Sequence, residues 1–216
     1  KINFLNFAIC CICLGTSQLT EGLPHASEEV YGTNEEPAFC HKLDCPRFTV
    51  IETFKTYELR KYAPSMWVST QIKKMDFTEQ DRKELFDKLF YYISGNNTEH
   101  MKIPMTAPVV ETVLHGQGPD CESTFTFQFM IPFDLQKSPP QPTAQDINIT
   151  TMPEMSVYVR VFGGYLNGTD IQNNIIKLSE DINDSSKYIA NPYYSAGYDN
   201  PFQILNRHNE VWLRAS

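Results

Sequence analysis

The histidines and cysteines of this sequence are the first side chains to consider for metal or nucleophilic chemistry. The five histidines are scattered and lack the spacing of a metal site: His25, His41, His100, His115 and His208. His41 directly follows Cys40, and this pair is the best candidate for binding a transition metal. The sequence has no glycine-rich phosphate loop, nucleophile elbow, HExxH or CxxC motif. We therefore predict no catalytic site.

Aromatic residues are the second feature that could do chemistry, by lining a ligand site. The chain of 216 residues contains 14 Phe, 11 Tyr and 2 Trp. They crowd two segments, one in the middle of the chain and one near its end: Phe86, Phe90, Tyr91 and Tyr92, then Tyr193, Tyr194, Tyr198 and Phe202. Most must be core residues. A small sheet with few helices nevertheless leaves a groove in which such side chains can bind an apolar ligand.

The charge balance excludes one class of ligand. The chain has 18 Lys and Arg against 26 Asp and Glu, a net charge of −8, and no basic block. Binding to the phosphate backbone of nucleic acid requires clustered positive charge. We therefore exclude nucleic acid as a partner. Nothing in the sequence indicates an oligomeric state.

One long helix is predicted over Thr78–Ser94, where it carries the first aromatic cluster. Its apolar positions, including Leu85, Leu89 and Ile93, recur at helical spacing and form one face. Thr78 is a suitable N-cap residue, and Gly95 suits the exit of the helix.

The remaining pattern predicts strands around two helices. Alternation of apolar and polar residues predicts strands near Phe48–Leu59, at Trp67–Ile72, and in six later segments: Val109–Leu114, Phe125–Ile131, Ile147–Thr151, Ser156–Phe162, Tyr193–Tyr198 and Glu210–Arg214. A second helix is predicted at Thr169–Ile182. The order of strands, helix and strands occurs twice. The sequence thus predicts one α+β domain of duplicated strand–helix–strand halves with an antiparallel sheet.

The N-terminus predicts export. Lys1 precedes an apolar run over Ile2–Leu14, and small residues follow, with cleavage expected between Gly15 and Gly22. We assign residues 1–22 to a signal peptide and residues 23–44 to an extended arm. The run is too short to cross a bilayer, which takes about 20 apolar residues, so we expect no stable membrane insertion; a retained anchor is the alternative.

Two further features agree with secretion. Four sequons predict N-glycosylation: Asn96, Asn148, Asn167 and Asn183. Removal of the signal peptide leaves Cys40, Cys45 and Cys121, an odd number. In an oxidising compartment we expect one disulfide and one free thiol. The pairing is open, since Cys40 can join Cys45 or either of them can join Cys121.

Several strings, in this order and spacing, resemble the SOUL haem-binding protein family. They are YELRKY at 57–62, WVST at 67–70, MKIPMTAPV at 101–109, YSAGYDNP at 194–201 and NRHNEVWL at 206–213. The likeness covers residues 45–216 almost completely and is greater to the second vertebrate type of the family. It implies two similar halves that form a distorted antiparallel β-barrel flanked by two helices.

The resemblance also implies a ligand, haem or another tetrapyrrole, held non-covalently in a shallow apolar groove. The groove lies between the first helix and the loop that joins the last two strands. Carried over by position, the cofactor-binding residues are four on the helix and two on the loop: Lys83, Phe86, Leu89, Phe90, Tyr198 and Phe202. The alternative is that Phe86, Leu89 and Phe90 form the core side of the helix.

The chain departs from the family at one position. In one branch of the family, the strand that corresponds to YELRKY carries a histidine that is the proposed iron ligand. In this chain the residue at that position is Lys61. A protonated lysine is a poor ligand. The alternatives are binding without a protein–iron bond, ligation by another residue such as His100 or His208, and a change of ligand in this chain. A further alternative is that Arg60 and Lys61 are simply solvated strand residues. We expect a secreted, non-enzymatic carrier or scavenger; the alternatives are a protein-interaction role through the second helix and a small-molecule hydrolase.

Overall fold

A computed structural model describes residues 37–118 and 121–216. Eleven long elements follow one another along these residues: β1 (Phe48–Thr53), β2 (Glu58–Tyr62), β3 (Ser65–Lys74), α1 (Glu79–Ile93), β4 (Val109–Leu114), β5 (Ser123–Met130), β6 (Ile147–Met152), β7 (Met155–Phe162), α2 (Gly168–Ile182), β8 (Tyr188–Gly197) and β9 (Asn209–Ala215). Two short 3₁₀ turns lie at Ala38–Cys40 and Phe133–Leu135. The predicted α+β class is confirmed.

The strands form one curled antiparallel sheet in the order β1-β2-β7-β9-β8-β4-β5-β3-β6. The central six strands form two triplets, β7-β9-β8 and β4-β5-β3. The sheet order of one triplet is the reverse of the other when β3 is matched with β7, β4 with β8 and β5 with β9. Each triplet carries one helix after its first strand, and the two triplets meet where β4 pairs with β8. The predicted duplication is therefore present in the topology as two β-α-β-β units about a pseudo-twofold axis.

Helix α1 begins where the sequence predicts, because its first turn is closed by a capping box. The Thr78 side chain accepts the backbone N–H of Asp81, and the Asp81 carboxylate accepts the N–H of Thr78 at 2.9 Å. Leu85, Leu89 and Tyr92 are buried against strands β3 and β5. Helix α2 is placed on β7 and β9 in the same way. Both helices therefore cover the same face of the sheet.

The opposite face of the sheet has a separate core. It contains the fully buried Trp67 and Trp212 together with Tyr62 and Tyr198. Because side chains alternate along a strand, β8 directs Tyr193 towards the helices and Ala196 towards this second core, which Tyr198, directly after the strand, also joins. A position in β8 thus decides which of two separate cores a ring joins.

The described part of the arm, residues 37–44, is packed against this second core. Cys40 is fully buried and is bonded to Cys45, with the two Cα atoms 6.1 Å apart, whereas Cys121 is free and exposed. The disulfide resolves the pairing that the sequence leaves open. It also corrects one expectation, since a disulfide-bonded Cys40 is not available to bind a metal beside His41.

The predicted signal peptide (1–22) and residues 23–36 of the predicted arm lie outside the described residues. Within the described ranges, no helix is long and apolar enough to span a membrane.

Candidate functional site

The solvent side of α1 presents stacked aromatic rings. The rings of Phe86 and Phe90 lie 5.9 Å apart and nearly parallel, and Phe90 is 49% exposed. Phe86 rests on Phe129 of β5 at 5.2 Å. Leu89 lies on the inner side of the helix and is fully buried. Lys83 is exposed and forms an ion pair with Asp87 one turn further along α1.

The loop between β8 and β9, residues 198–208, exposes a second apolar surface. Phe202, Ile204 and Leu205 at its tip are 88%, 74% and 73% exposed. Such consecutive exposure of large apolar side chains indicates a binding surface rather than a core.

The strand register places the base of this loop near α1. Phe129, which supports Phe86, pairs with Val109, and Val109 pairs with Gly197 at the end of β8. Two strand spacings, about 10 Å, therefore separate the floor beneath Phe86 from the start of the loop. The fold therefore puts the aromatic face of α1 and the base of the loop at the same end of the sheet.

Tyr198 is placed differently from the other site residues predicted by resemblance. It lies in the core on the face of the sheet that the helices do not cover, and its hydroxyl donates to Glu210 at 2.9 Å. Burial raises the pKa of this hydroxyl well above its ordinary value, with the nearby Glu210 charge adding to the effect. The structure thus brings Phe86 and Phe90 together at the surface, but it places Leu89 beneath them and Tyr198 across the sheet.

A buried carboxylate, Glu210, anchors the base of the loop. Its Oε1 lies 2.9 Å from Nη1 of Arg60 and 2.7 Å from Nε2 of His208. Its Oε2 accepts from Tyr198 and from Trp212 Nε1, the latter at 2.8 Å. Burial raises the pKa of Glu210, but hydrogen bonds from His208 and Trp212 and the charge of Arg60 outweigh it, and the pKa is lowered.

The sequence did not indicate the network around Glu210, and its members Tyr198 and His208 were predicted only as haem contacts. Arg60 is buried, not a solvated strand residue, and it reaches Glu210 across 150 positions of the chain. The one available signal was a carboxylate directly before the apolar run Val211–Leu213. Because Tyr198 and His208 stand at the two ends of the loop, their bonds to Glu210 hold its base together.

The histidines differ in their freedom to bind iron. His41 Nε2 lies 2.8 Å from Asp199, and His208 stacks on Phe39 at 4.1 Å while it bonds to Glu210. His100 lies on the surface after α1. Lys61, which stands at the family's histidine position, forms an ion pair with Glu154 at 3.1 Å. Over residues 37–118 and 121–216, no cluster of three His, Cys, Asp or Glu groups could hold a metal ion.

The four predicted glycosylation sites all lie at the surface to different extents. Asn148 and Asn183 are exposed, while Asn96 and Asn167 are half-buried. Asn167 is also the N-cap of α2, since its Oδ1 accepts the backbone N–H of Asp170 at 2.9 Å. A glycan there would have to leave this cap intact.

The nine-stranded sheet and its two helices have the architecture that the SOUL resemblance implies. Residues 43–214 match the protein family described as SOUL heme-binding protein, and the chain belongs to this family. The resemblance found in the sequence motifs is confirmed.

Individual relatives share much of the chain. It is 42% identical to Heme-binding protein 2 of Homo sapiens over 159 residues, which span 73% of this chain and 77% of the human protein. The corresponding mouse protein is 40% identical over the same length, with the same coverage of each chain. Heme-binding protein 1 of Xenopus tropicalis is 31% identical over 157 residues, 73% of this chain and 82% of the frog protein.

Among solved structures, the EcmrR C-terminal domain is similar in fold. Its TM-score is 0.55 at 13% identity, and the similarity covers 74% of this chain and 98% of that domain. The likeness shows the shared sheet and helix arrangement.

Proposed function

We propose that this chain is a secreted, non-enzymatic protein that binds haem or a related tetrapyrrole as a carrier or scavenger. The observation that carries the proposal is the family match over residues 43–214. The names of the relatives agree with it, since each is named a heme-binding protein.

The exposed apolar side chains of α1 and of the 198–208 loop, between which we place the groove, suit a large, flat and mostly apolar ligand. The stacked rings of Phe86 and Phe90 offer a surface for one face of a porphyrin, and Phe202 with Ile204 offers apolar area from the loop. Each Å² of apolar surface removed from water contributes about 25 cal/mol. Lys83 at the rim is exposed, so its pairing with a propionate would contribute no more than about 1 kcal/mol. Apolar contact is therefore the main source of affinity.

The iron makes little or no use of a protein ligand in this proposal. Lys61 is engaged by Glu154, and His208 is held between Phe39 and Glu210. His100 is exposed and follows α1. Among the described histidines, it is the one whose side chain has no hydrogen bond or ring contact that would compete with iron ligation. Bound haem would supply the iron chemistry, and the chain would hold and orient the porphyrin.

Secretion is supported by the apolar N-terminal run and by the buried Cys40–Cys45 disulfide, since such bonds persist in oxidising compartments. The test is expression of the full chain in a eukaryotic secretory host. We expect protein in the medium that shortens at its N-terminus and shifts in mass on enzymatic deglycosylation. Retention of unglycosylated, full-length protein inside the cell would contradict this part of the proposal.

The binding test is a hemin titration of the secreted protein, followed by its Soret absorption. We expect saturation at one hemin per chain. Phe90→Asp and Phe202→Asp should weaken binding by at least about tenfold, since each removes apolar contact worth more than 1.4 kcal/mol. Ile176→Asp is the matched control, because Ile176 is 53% exposed on the other helix. His100→Ala separates iron ligation from groove binding, since only ligation predicts a changed spectrum.

Circular dichroism must show that each variant is folded. Absence of saturable binding would refute the proposed ligand. Saturable binding that neither groove variant weakens would move the site elsewhere in the chain.

A further inference from the structure

A second cavity lies on the helix-covered face of the sheet, away from the proposed haem groove. Its volume is about 730 Å³, within the range of about 300–1,000 Å³ that is usual for small-molecule sites. It opens between the first turns of α1 and α2, with Arg82 on one side and Gln172 on the other. Val113 and Tyr193, which pair across β4 and β8, form part of its floor. The cavity therefore lies on the pseudo-twofold axis that relates the two halves.

A buried carboxylate stands at the bottom of this cavity. Glu111 of β4 is only 3% exposed and forms an ion pair with Arg82. Arg82 also bonds to Glu79 at 3.1 Å, at the more exposed side of the cavity. A carboxylate removed from water needs a positive partner, and here a single side chain from α1 provides it.

The walls beside Glu111 are aromatic. Phe77 stacks on Phe125 with ring centres 4.0 Å apart, and the planar guanidinium of Arg82 lies over Phe77 at 5.3 Å. Tyr193 forms another wall, and burial raises the pKa of its hydroxyl to about 12, so this ring is neutral. Arg82 thus shows what the site accepts: a flat, delocalised cation, stacked on a ring and paired with a buried carboxylate.

The charges around the cavity favour a cation and disfavour an anion. Asp76, Glu79 and Glu111 line it, against the single positive charge of Arg82. The positive ends of the two helix dipoles do not reverse this balance, because Asp81 and Asp170 occupy the first turns. The propionates of haem would be repelled here. This cavity is therefore distinct in chemistry from the groove beside Phe90.

We propose that this cavity is a binding site for a planar aromatic organic cation. The ring system of the ligand lies against Phe77 and Tyr193, and its positive charge pairs with Glu111. Arg82 gives up Glu111 on binding and keeps its bond to Glu79. The site does not depend on haem binding.

The test is a fluorescence-polarisation titration of the full secreted chain with rhodamine 6G, a planar monocation. Fluorescein, an anionic dye of similar ring system, is the charge control. Glu111→Gln should weaken rhodamine binding by at least about tenfold, the loss expected when a charge-assisted contact is removed. Glu84→Gln makes the same change on the exposed side of α1, where Glu84 pairs with Lys88 at 3.1 Å, and should leave binding unchanged.

A second variant keeps the test decisive if Glu111→Gln does not fold. Gln172→Trp places a large side chain at the exposed mouth of the cavity and leaves the buried charges alone. It should block rhodamine while hemin binding stays the same. The proposal is overturned if rhodamine does not saturate, if fluorescein binds equally well, or if Gln172→Trp leaves rhodamine binding unchanged. Phe202→Asp should affect hemin alone, which separates the two sites.

Discussion

Replacing Glu210 by glutamine should destabilise the fold strongly, because it exchanges one buried carboxylate oxygen for an NH₂ group. Each carboxylate oxygen of Glu210 faces two partners: Oε1 lies by Arg60 and His208, and Oε2 by Tyr198 and Trp212. A glutamine keeps one oxygen and turns a donating NH₂ group towards the other two partners. Whichever way the amide lies, one obligate donor, Arg60 or Trp212, loses its acceptor, whereas the Tyr198 hydroxyl or the His208 ring can accept from the amide instead.

The expected cost follows from these contacts. One unsatisfied buried donor costs about 1–3 kcal/mol, and breaking a buried ion pair on one side costs about 3–5 kcal/mol. Arg60 retains its ion pair with Glu58, at 2.7 Å between Nε and Oε2. Because Glu58 is partly exposed, this pair compensates only in part for the lost charge of Glu210. We therefore expect Glu210→Gln to lower the free energy of unfolding by about 3–5 kcal/mol. For a chain of this length that corresponds to a fall in Tm of about 6–20 °C.

Urea unfolding followed by tryptophan fluorescence measures this directly, because Trp67 and Trp212 are both fully buried. The matched control is Glu58→Gln, which removes the exposed partner of the same arginine and should cost about 1 kcal/mol or less. A loss below about 1 kcal/mol for Glu210→Gln, or equal losses for the two variants, would refute the reasoning. Because Tyr198 and His208 flank the loop, we also expect weaker hemin binding in the surviving folded Glu210→Gln protein.

Two further predictions concern α1. Hydrogen bonds from Lys74 and Thr78 lower the pKa of Asp81 to about 2, below its ordinary value, so its stabilising effect is complete above about pH 4 and is lost as the pH falls towards 2. Urea unfolding of wild type and Asp81→Asn should differ at pH 6 and converge near pH 2; a difference that is constant with pH would contradict this. Leu89→Ala should cost about 2–5 kcal/mol of stability, since Leu89 is fully buried, whereas Phe90→Ala should cost about 1 kcal/mol or less and mainly weaken hemin binding. Equal stability losses in thermal unfolding would show that the outward face of the helix is misassigned.

Local patterns determined the helices, most strands and the family. Thr78 and the spacing of Leu85 and Leu89 predicted α1 nearly to the residue, because caps and helical periodicity depend on neighbours within one or two turns. Alternation predicted the strands for the same reason. The strings MKIPMTAPV and NRHNEVWL carried the family resemblance, and Phe90 and Phe202 were predicted as haem-binding residues on that basis alone.

The tertiary structure decided which distant side chains meet. Tyr198 and Phe202 are only four residues apart in the chain, yet the ring of Tyr198 lies in a core across the sheet and that of Phe202 in solvent. Arg60 finds Glu210 only because β7 pairs with both β2 and β9. Arg82 meets Glu111 only because α1 lies over the sheet beside β4. Sequence shows no such pairings, since they depend on strand order and on which face each residue occupies, and both proposed sites are built from contacts of this kind.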